Sequence, residues 1–109
     1  YPCPADRINL PRLKYMKNFT SKIGYSGHFQ GIDDAIAAIC HGAVYIEKHF
    51  TIDNNLEGRD NKFALLPKDL KKISEFRNNY QDMLFDRGID LQESEKDTFN
   101  NYRGRWSNE

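Results

Sequence analysis

Apolar residues recur along the chain in two rhythms. Leu10, Leu13, Met16 and Phe19 are spaced as one helical stripe, which predicts a helix over 10–18 with Asn9 as its cap and Pro11 in its first turn. Ile32, Ala35, Ile36 and Ile39 repeat that period and predict a second helix over 32–41, stopped by Gly42. Leu70, Ile73, Phe76 or Arg77, Tyr80 and Leu84 give a third stripe, in a helix opened by Pro67 and running to about 84. Between the helices lie short runs that do not fit the helical period. "KIGY" at 22–25 reads as a short strand before a glycine-bearing turn, and "AVYIE" at 43–47 is apolar and β-branched, as a buried parallel strand is. A polar loop, "TIDNNLEGRDNK", precedes the third helix, and Gly88 ends that unit.

The order is therefore helix, strand, helix, strand, helix. This is the grammar of a parallel α/β protein, either a (β/α)₈ barrel or an open doubly wound sheet. Two strands are too few for either. Upstream strands, or pairing with another chain, are expected to cover what two strands leave open. Residues 1–87 read as one unit. Residues 88–109 are polar, with scattered Leu91, Phe99, Tyr102 and Trp106, and read as an extension or linker.

Composition adds limits. The 109 residues suffice for one domain with a modest core. Lysine plus arginine and aspartate plus glutamate number 16 each, so no basic excess points to nucleic acid or an anionic membrane. No apolar run is long enough to span a bilayer. The start at "YPCP", without Met, suggests a processed chain or a piece of a longer one. Cys3 and Cys40 make no disulfide framework and are expected to be reduced thiols in a cytoplasmic protein.

Candidate chemistry gathers after the two strands. In parallel α/β folds, sites form at the carboxyl ends of strands. His28 follows the first strand and His49 the second. Neighbouring parallel strands lie about 4.8 Å apart, so histidines at matching positions could share one metal ion. Imidazole suits Mn, Fe, Zn, Ni and Cu alike. The alternative is a pair of hydrogen-bonding loop residues. His41, at a helix C-terminus, reads as structural. Ser26, between Gly24 and Gly27, could approach a phosphate closely. Glu47 points the same way as His49 and suits hydroxyl binding or proton transfer; its plainer reading is an ion-pair partner for Lys48 or Lys62. Asp60 taken alone is a solvated turn residue.

Together, "YP" at 1–2, "IGYSGH" at 23–28, "AIAAICHGAVYIEKHFT" at 35–51 and "LEGRDNKFALLPKDL" at 56–70 resemble the sialic acid synthase family. The resemblance covers about residues 1–85. It implies a (β/α)₈ barrel of which this chain is the last part, from the loop after strand six through helix eight. It implies condensation of phosphoenolpyruvate with N-acetylmannosamine or a related N-acetylated aldose sugar to a nonulosonic acid, in a homodimer. By the same resemblance His28 and His49 bind Mn²⁺, Ser26 contacts the phosphate of phosphoenolpyruvate, Tyr1 lies near the acceptor sugar, and Glu47 and Asp60 hold its hydroxyls. His28, His49 and Glu47 are the expected catalytic set. The family's phosphate-binding lysines, its upstream acidic residue and its antifreeze-like domain have no counterpart here. Gly27 stands where bacterial members often have Asp, and Arg59 and Asn61 flank Asp60 where Pro or Ser and His are commoner. Those differences leave open the sialic, legionaminic and pseudaminic branches. A competing reading is a fragment that folds and associates without turnover. A 3-deoxy octulosonate synthase is a third, which "GYSGH" and "EKHFT" fit poorly.

Overall fold

A computed structural model of the chain describes residues 1–102. A short 3₁₀ turn, Ala5–Arg7, leads into helix α1, Pro11–Met16. Strand β1 is Gly24–Gly27, helix α2 is Asp33–Cys40 and strand β2 is Tyr45–Lys48. Helix α3, Pro67–Met83, follows a loop that contains the 3₁₀ turn Asn61–Phe63. The expected order of elements is thus present.

β1 and β2 pair in parallel, with Gly24 opposite Tyr45, Tyr25 opposite Ile46, Ser26 opposite Glu47 and Gly27 opposite Lys48. Both strands start two residues later than the sequence pattern suggests. The end of α2 explains the second delay. Gly42 takes φ +92°, and the N–H groups of Gly42 and Ala43 donate to the carbonyls of Ile39 and Ala38. This is a Schellman closure, which needs a left-handed residue at that point. The chain is still turning through Ala43, so extended pairing begins only with Val44, whose N–H donates to the Ile23 carbonyl at 2.8 Å. Ile23 and Ala43 serve as buried packing residues just ahead of the ladder.

Two apolar clusters flank α2. Leu13, Ile23, Ala38 and Ala43 form one, with Leu10, Tyr25 and Ile46 against it. Ala35, Leu65 and Ile73 form the other, again with Ile46. Ala35 and Ala38 are fully buried, and their small side chains let the helix sit close to both strands and α3.

Three local expectations are corrected. Asn9 does not cap α1 through its side chain; the N-cap is Leu10, and Asn9 adopts φ +56°. The start of α3 is instead secured by Asp69, whose carboxylate accepts the Leu66 N–H at 3.0 Å. The stripe on α3 is buried only at Ile73, while Leu70 and Leu84 are 49% and 66% exposed. They border an open groove of about 480 Å³ with Ile39, Val44, Ile46 and Tyr80. β2 is not a buried strand either: Val44 and Tyr45 are 57% and 62% exposed. The cause is common to both. Among the described residues the sheet has two strands and so an unpaired edge on each side, and no further strand there covers the apolar face of α3.

The radius of gyration is 19.7 Å, against about 13 Å for a compact domain of this length. The segment after Gly88 forms a 3₁₀ turn, Glu93–Glu95, and helix α4, Lys96–Tyr102. Residues 103–109, with Trp106, lie outside the described residues.

Candidate active site

The parallel register carries past the strands to the two histidines. Since Ser26 faces Glu47 and Gly27 faces Lys48, His28 falls beside His49. Their ring centroids are 5.5 Å apart with planes at 60°.

Separate segments hold each histidine in place. The carbonyl of His28 accepts the Cys3 N–H at 2.6 Å, and the carbonyl of His49 accepts the Leu65 N–H at 2.8 Å. Leu65 also receives the Thr51 N–H and bridges to Phe50 in parallel, so the chain returning from the loop lies along the segment after β2. Tyr1 lies over the pair. Its ring meets His28 edge-on at 5.5 Å, His49 at 5.1 Å, and Phe63 at 5.3 Å in a tilted contact. Its hydroxyl donates to the Phe63 carbonyl at 3.1 Å. Partial burial, with the carboxylates of Asp60 and Asp34, raises the Tyr1 phenol above its usual range.

Ser26 and Glu47 lie on the same face as the histidines. The Ser26 hydroxyl donates to Glu47 Oε1 at 2.7 Å. Asp60 Oδ2 stands 3.9 Å from His49 Nε2, which is too long for a hydrogen bond. All the residues singled out in the sequence, Tyr1, Ser26, His28, Glu47, His49 and Asp60, therefore come to one end of the strands. His41 is elsewhere, with Nδ1 2.9 Å from the Ala37 carbonyl oxygen. Cys3 and Cys40 are free.

The loop that brings Asp60 to His49 is braced by two amides. Asn61 Nδ2 donates to the carbonyls of Asp53 and Leu56 at 2.7 and 2.9 Å. Asn54 Nδ2 donates to those of Asn61 and Ala64 at 2.9 and 3.1 Å. The unusual Asn61 thus has a folding task in this chain.

Glu47 is not paired with Lys48. Successive strand residues point to opposite faces, and Lys48 turns away from the site towards α2. There it meets Asp34 Oδ1 at 2.7 Å, with side-chain exposures of 3% and 0%. Tyr25 donates to the other Asp34 oxygen at 2.7 Å. The sequence reading missed this group. Asp34 resembles an ordinary acidic residue of a helix's first turn, but strand alternation opposite Glu47 and His49 was a signal for Lys48. The group also accounts for Gly27. A Cβ there would collide with Asp34 Oδ2 and stand 2.5 Å from Tyr25 Cε1.

Between the strand ends lies a hollow of about 140 Å³ lined by Ser26, Gly27, His28, Glu47, Lys48 and His49. The hollow is open on one side and has room for an ion with bound waters. Among the described residues no three His, Cys, Asp or Glu side chains are grouped to hold an ion. The donor set is two imidazoles, and the remaining positions would fall to water or substrate oxygens.

This is a parallel α/β unit with a polar site at the carboxyl ends of its strands. The NeuB family model matches residues 1–87, and the chain belongs to that family. It is 43% identical over 74 residues to the N,N'-diacetyllegionaminic acid synthase of Campylobacter jejuni, covering 67% of this chain and 22% of that protein. It is 37% identical over 75 residues to the human N-acetylneuraminate-9-phosphate synthase, covering 67% and 21%. Among solved structures, the N-acetylneuraminic acid synthetase of Leptospira borgpetersenii superposes with a TM-score of 0.74 at 30% identity, over 100% of this chain and 38% of that one. The chain spans about a fifth of the length of these curated relatives. No helix among the described residues is long and apolar enough to cross a membrane.

Proposed function

We propose that this chain supplies the last two strands and their helices to a (β/α)₈ barrel, and with them part of a synthase active site. The reaction joins phosphoenolpyruvate and an N-acetylated aldose, N-acetylmannosamine or a relative of it, to give a nonulosonic acid. A carbon–carbon bond forms between carbon 3 of phosphoenolpyruvate and the sugar's aldehyde carbon. Water adds at carbon 2 of the phosphoenolpyruvate unit, and phosphate leaves. The observation that carries this reading is the convergence of His28, His49, Ser26, Glu47, Asp60 and Tyr1 at one strand end in a chain of the NeuB family.

His28 and His49 would hold a divalent metal ion, Mn²⁺ by the family resemblance, in their neutral forms. The support for this reading is that the two imidazoles lie side by side at one strand end, with ring centres 5.5 Å apart, and imidazole suits a divalent ion of this kind. Bound there, the ion supplies a Lewis acid for the aldehyde oxygen. Ser26 gives its hydroxyl to the phosphate, and in doing so releases Glu47, which it contacts now. Glu47 and Asp60 accept hydrogen bonds from sugar hydroxyls and orient the aldehyde. Tyr1 packs against both imidazoles and limits their rotation.

A second reading concerns the 109 residues taken alone. The two-stranded sheet with open edges and the exposed Val44 and Tyr45 favour a piece without turnover. Association as a homodimer belongs to the longer protein.

The test is phosphate release by the full-length protein with phosphoenolpyruvate, Mn²⁺ and a panel of N-acetylated aldoses, with a chelator control. Metal-dependent release with one sugar is expected and would identify the acceptor. No release with any sugar by a folded barrel would reject the synthase reading.

A further inference from the structure

Lys48 is buried, charged and outside the chemistry just described. Its ammonium donates to the carbonyl oxygens of Phe29 and Gly31 and to Asp34 Oδ1, each at 2.7 Å. An ammonium carries three protons, and all three are used. Phe29 and Gly31 lie one and three residues beyond His28. The side chain therefore reaches from β2 across to the turn after β1 and grips it from within.

We propose that Lys48 is a positioning residue which, by clamping the turn at 28–31 from the strand that ends in His49, sets the spacing of the two imidazoles. This rests on the metal-site reading of His28 and His49. Ahead of the turn, Cys3 already holds the His28 carbonyl; Lys48 holds the carbonyls that follow. The backbone carrying His28 is thus fixed on both sides, and one of the two fixings comes from the residue next to His49. Asp34 keeps the ammonium in place, and Tyr25 keeps Asp34 in place. Gly27 leaves room for Asp34 and Tyr25.

An ion pair at this depth is a poor device for stability alone, because apolar residues of similar volume serve as well. Its specific gain is geometry: three acceptors from two segments converge on one tetrahedral donor. Residues that orient metal ligands commonly change metal affinity about 10–100-fold when removed.

The experiment uses the full-length protein, titrated with MnCl₂ and read by the electron paramagnetic resonance of free Mn²⁺. Peptide-level hydrogen exchange is measured in parallel. The variants are Lys48→Met, Lys48→Met with Asp34→Asn, and Asp34→Asn. Removing the buried lysine alone strands the Asp34 carboxylate, so the double variant guards against failure to fold. Lys48→Met, alone or with Asp34→Asn, is expected to weaken Mn²⁺ binding about 10–100-fold and to speed exchange in residues 27–33 while residues 67–83 are unchanged. Asp34→Asn, which leaves an amide oxygen and both carbonyl acceptors for the ammonium, is expected to weaken Mn²⁺ binding less than Lys48→Met does. A folded Lys48→Met protein with unchanged Mn²⁺ affinity would overturn the proposal, as would faster exchange spread evenly over the domain. If the wild type binds no Mn²⁺, the metal reading falls, and the exchange pattern alone decides the clamp: faster exchange confined to 27–33 supports it and unchanged exchange rejects it.

Discussion

His28 and His49 stand side by side at the ends of two parallel strands, with ring centres 5.5 Å apart. They are 21 residues apart, the same offset that relates every pair in the ladder from Gly24 and Tyr45 to Gly27 and Lys48. Their meeting is therefore a property of register. A register slip of one residue would turn one histidine to the opposite face.

His28→Ala and His49→Ala in the full-length protein should each abolish metal-dependent turnover. The fall should exceed the roughly 10–100-fold that changes around a metal's ligands produce. Steady-state phosphate release at saturating Mn²⁺ measures it, and unchanged turnover in either variant would remove the metal assignment.

Asp60 faces His49 at 3.9 Å from a loop braced by Asn54 and Asn61. Asp60→Ala should raise KM for the sugar about 10-fold or more, the loss of a charge-assisted hydrogen bond, with a smaller change in KM for phosphoenolpyruvate. The reverse pattern would contradict its assignment to the acceptor.

Asp34→Ala leaves Lys48 charged, buried and short of one partner. Breaking a buried pair in this way costs about 3–5 kcal/mol. Gly27→Ala drives a methyl into Asp34 and Tyr25, and overpacking of that kind costs about 1–3 kcal/mol. Denaturant unfolding of the full-length protein should rank Asp34→Ala as the more severe. Wild-type stability in both variants would mean that the network is loosely held.

Tyr25 should respond to alkali. Burial, then the hydrogen bond to Asp34 and its charge, raise the phenol well above its usual 10.0. The folded state keeps the proton where the unfolded chain loses it. This contribution is complete below about pH 10 and is lost as pH rises through the folded-state value. The melting temperature should fall more between pH 10 and 12 in wild type than in Tyr25→Phe; parallel curves would show that Tyr25 does not contribute.

Much of this architecture is readable from residue order. The helical stripe of α2, Gly42 at its end and Pro67 at the start of α3 mark element limits by chemistry that acts within a few residues. The approach of His28 and His49 follows from the parallel strand–helix–strand order. What escapes a linear reading depends on partners far along the chain. Leu70, Leu84, Val44 and Tyr45 are apolar in pattern but exposed in this unit, because periodicity reports which face seeks cover and not whether cover is present. Lys48 and Asp34 look like surface charges one residue at a time; only the packing of α2 on β2 makes them a buried pair. Asn9 carries a capping residue's chemistry, yet takes a left-handed backbone, which asparagine tolerates better than most residues.

The most direct test is pulsed electron paramagnetic resonance of Mn²⁺ bound to the full-length protein grown with ¹⁵N-histidine. The proposed site predicts hyperfine coupling from the nitrogens of two imidazoles. An active protein whose bound Mn²⁺ shows no histidine nitrogen coupling would contradict it.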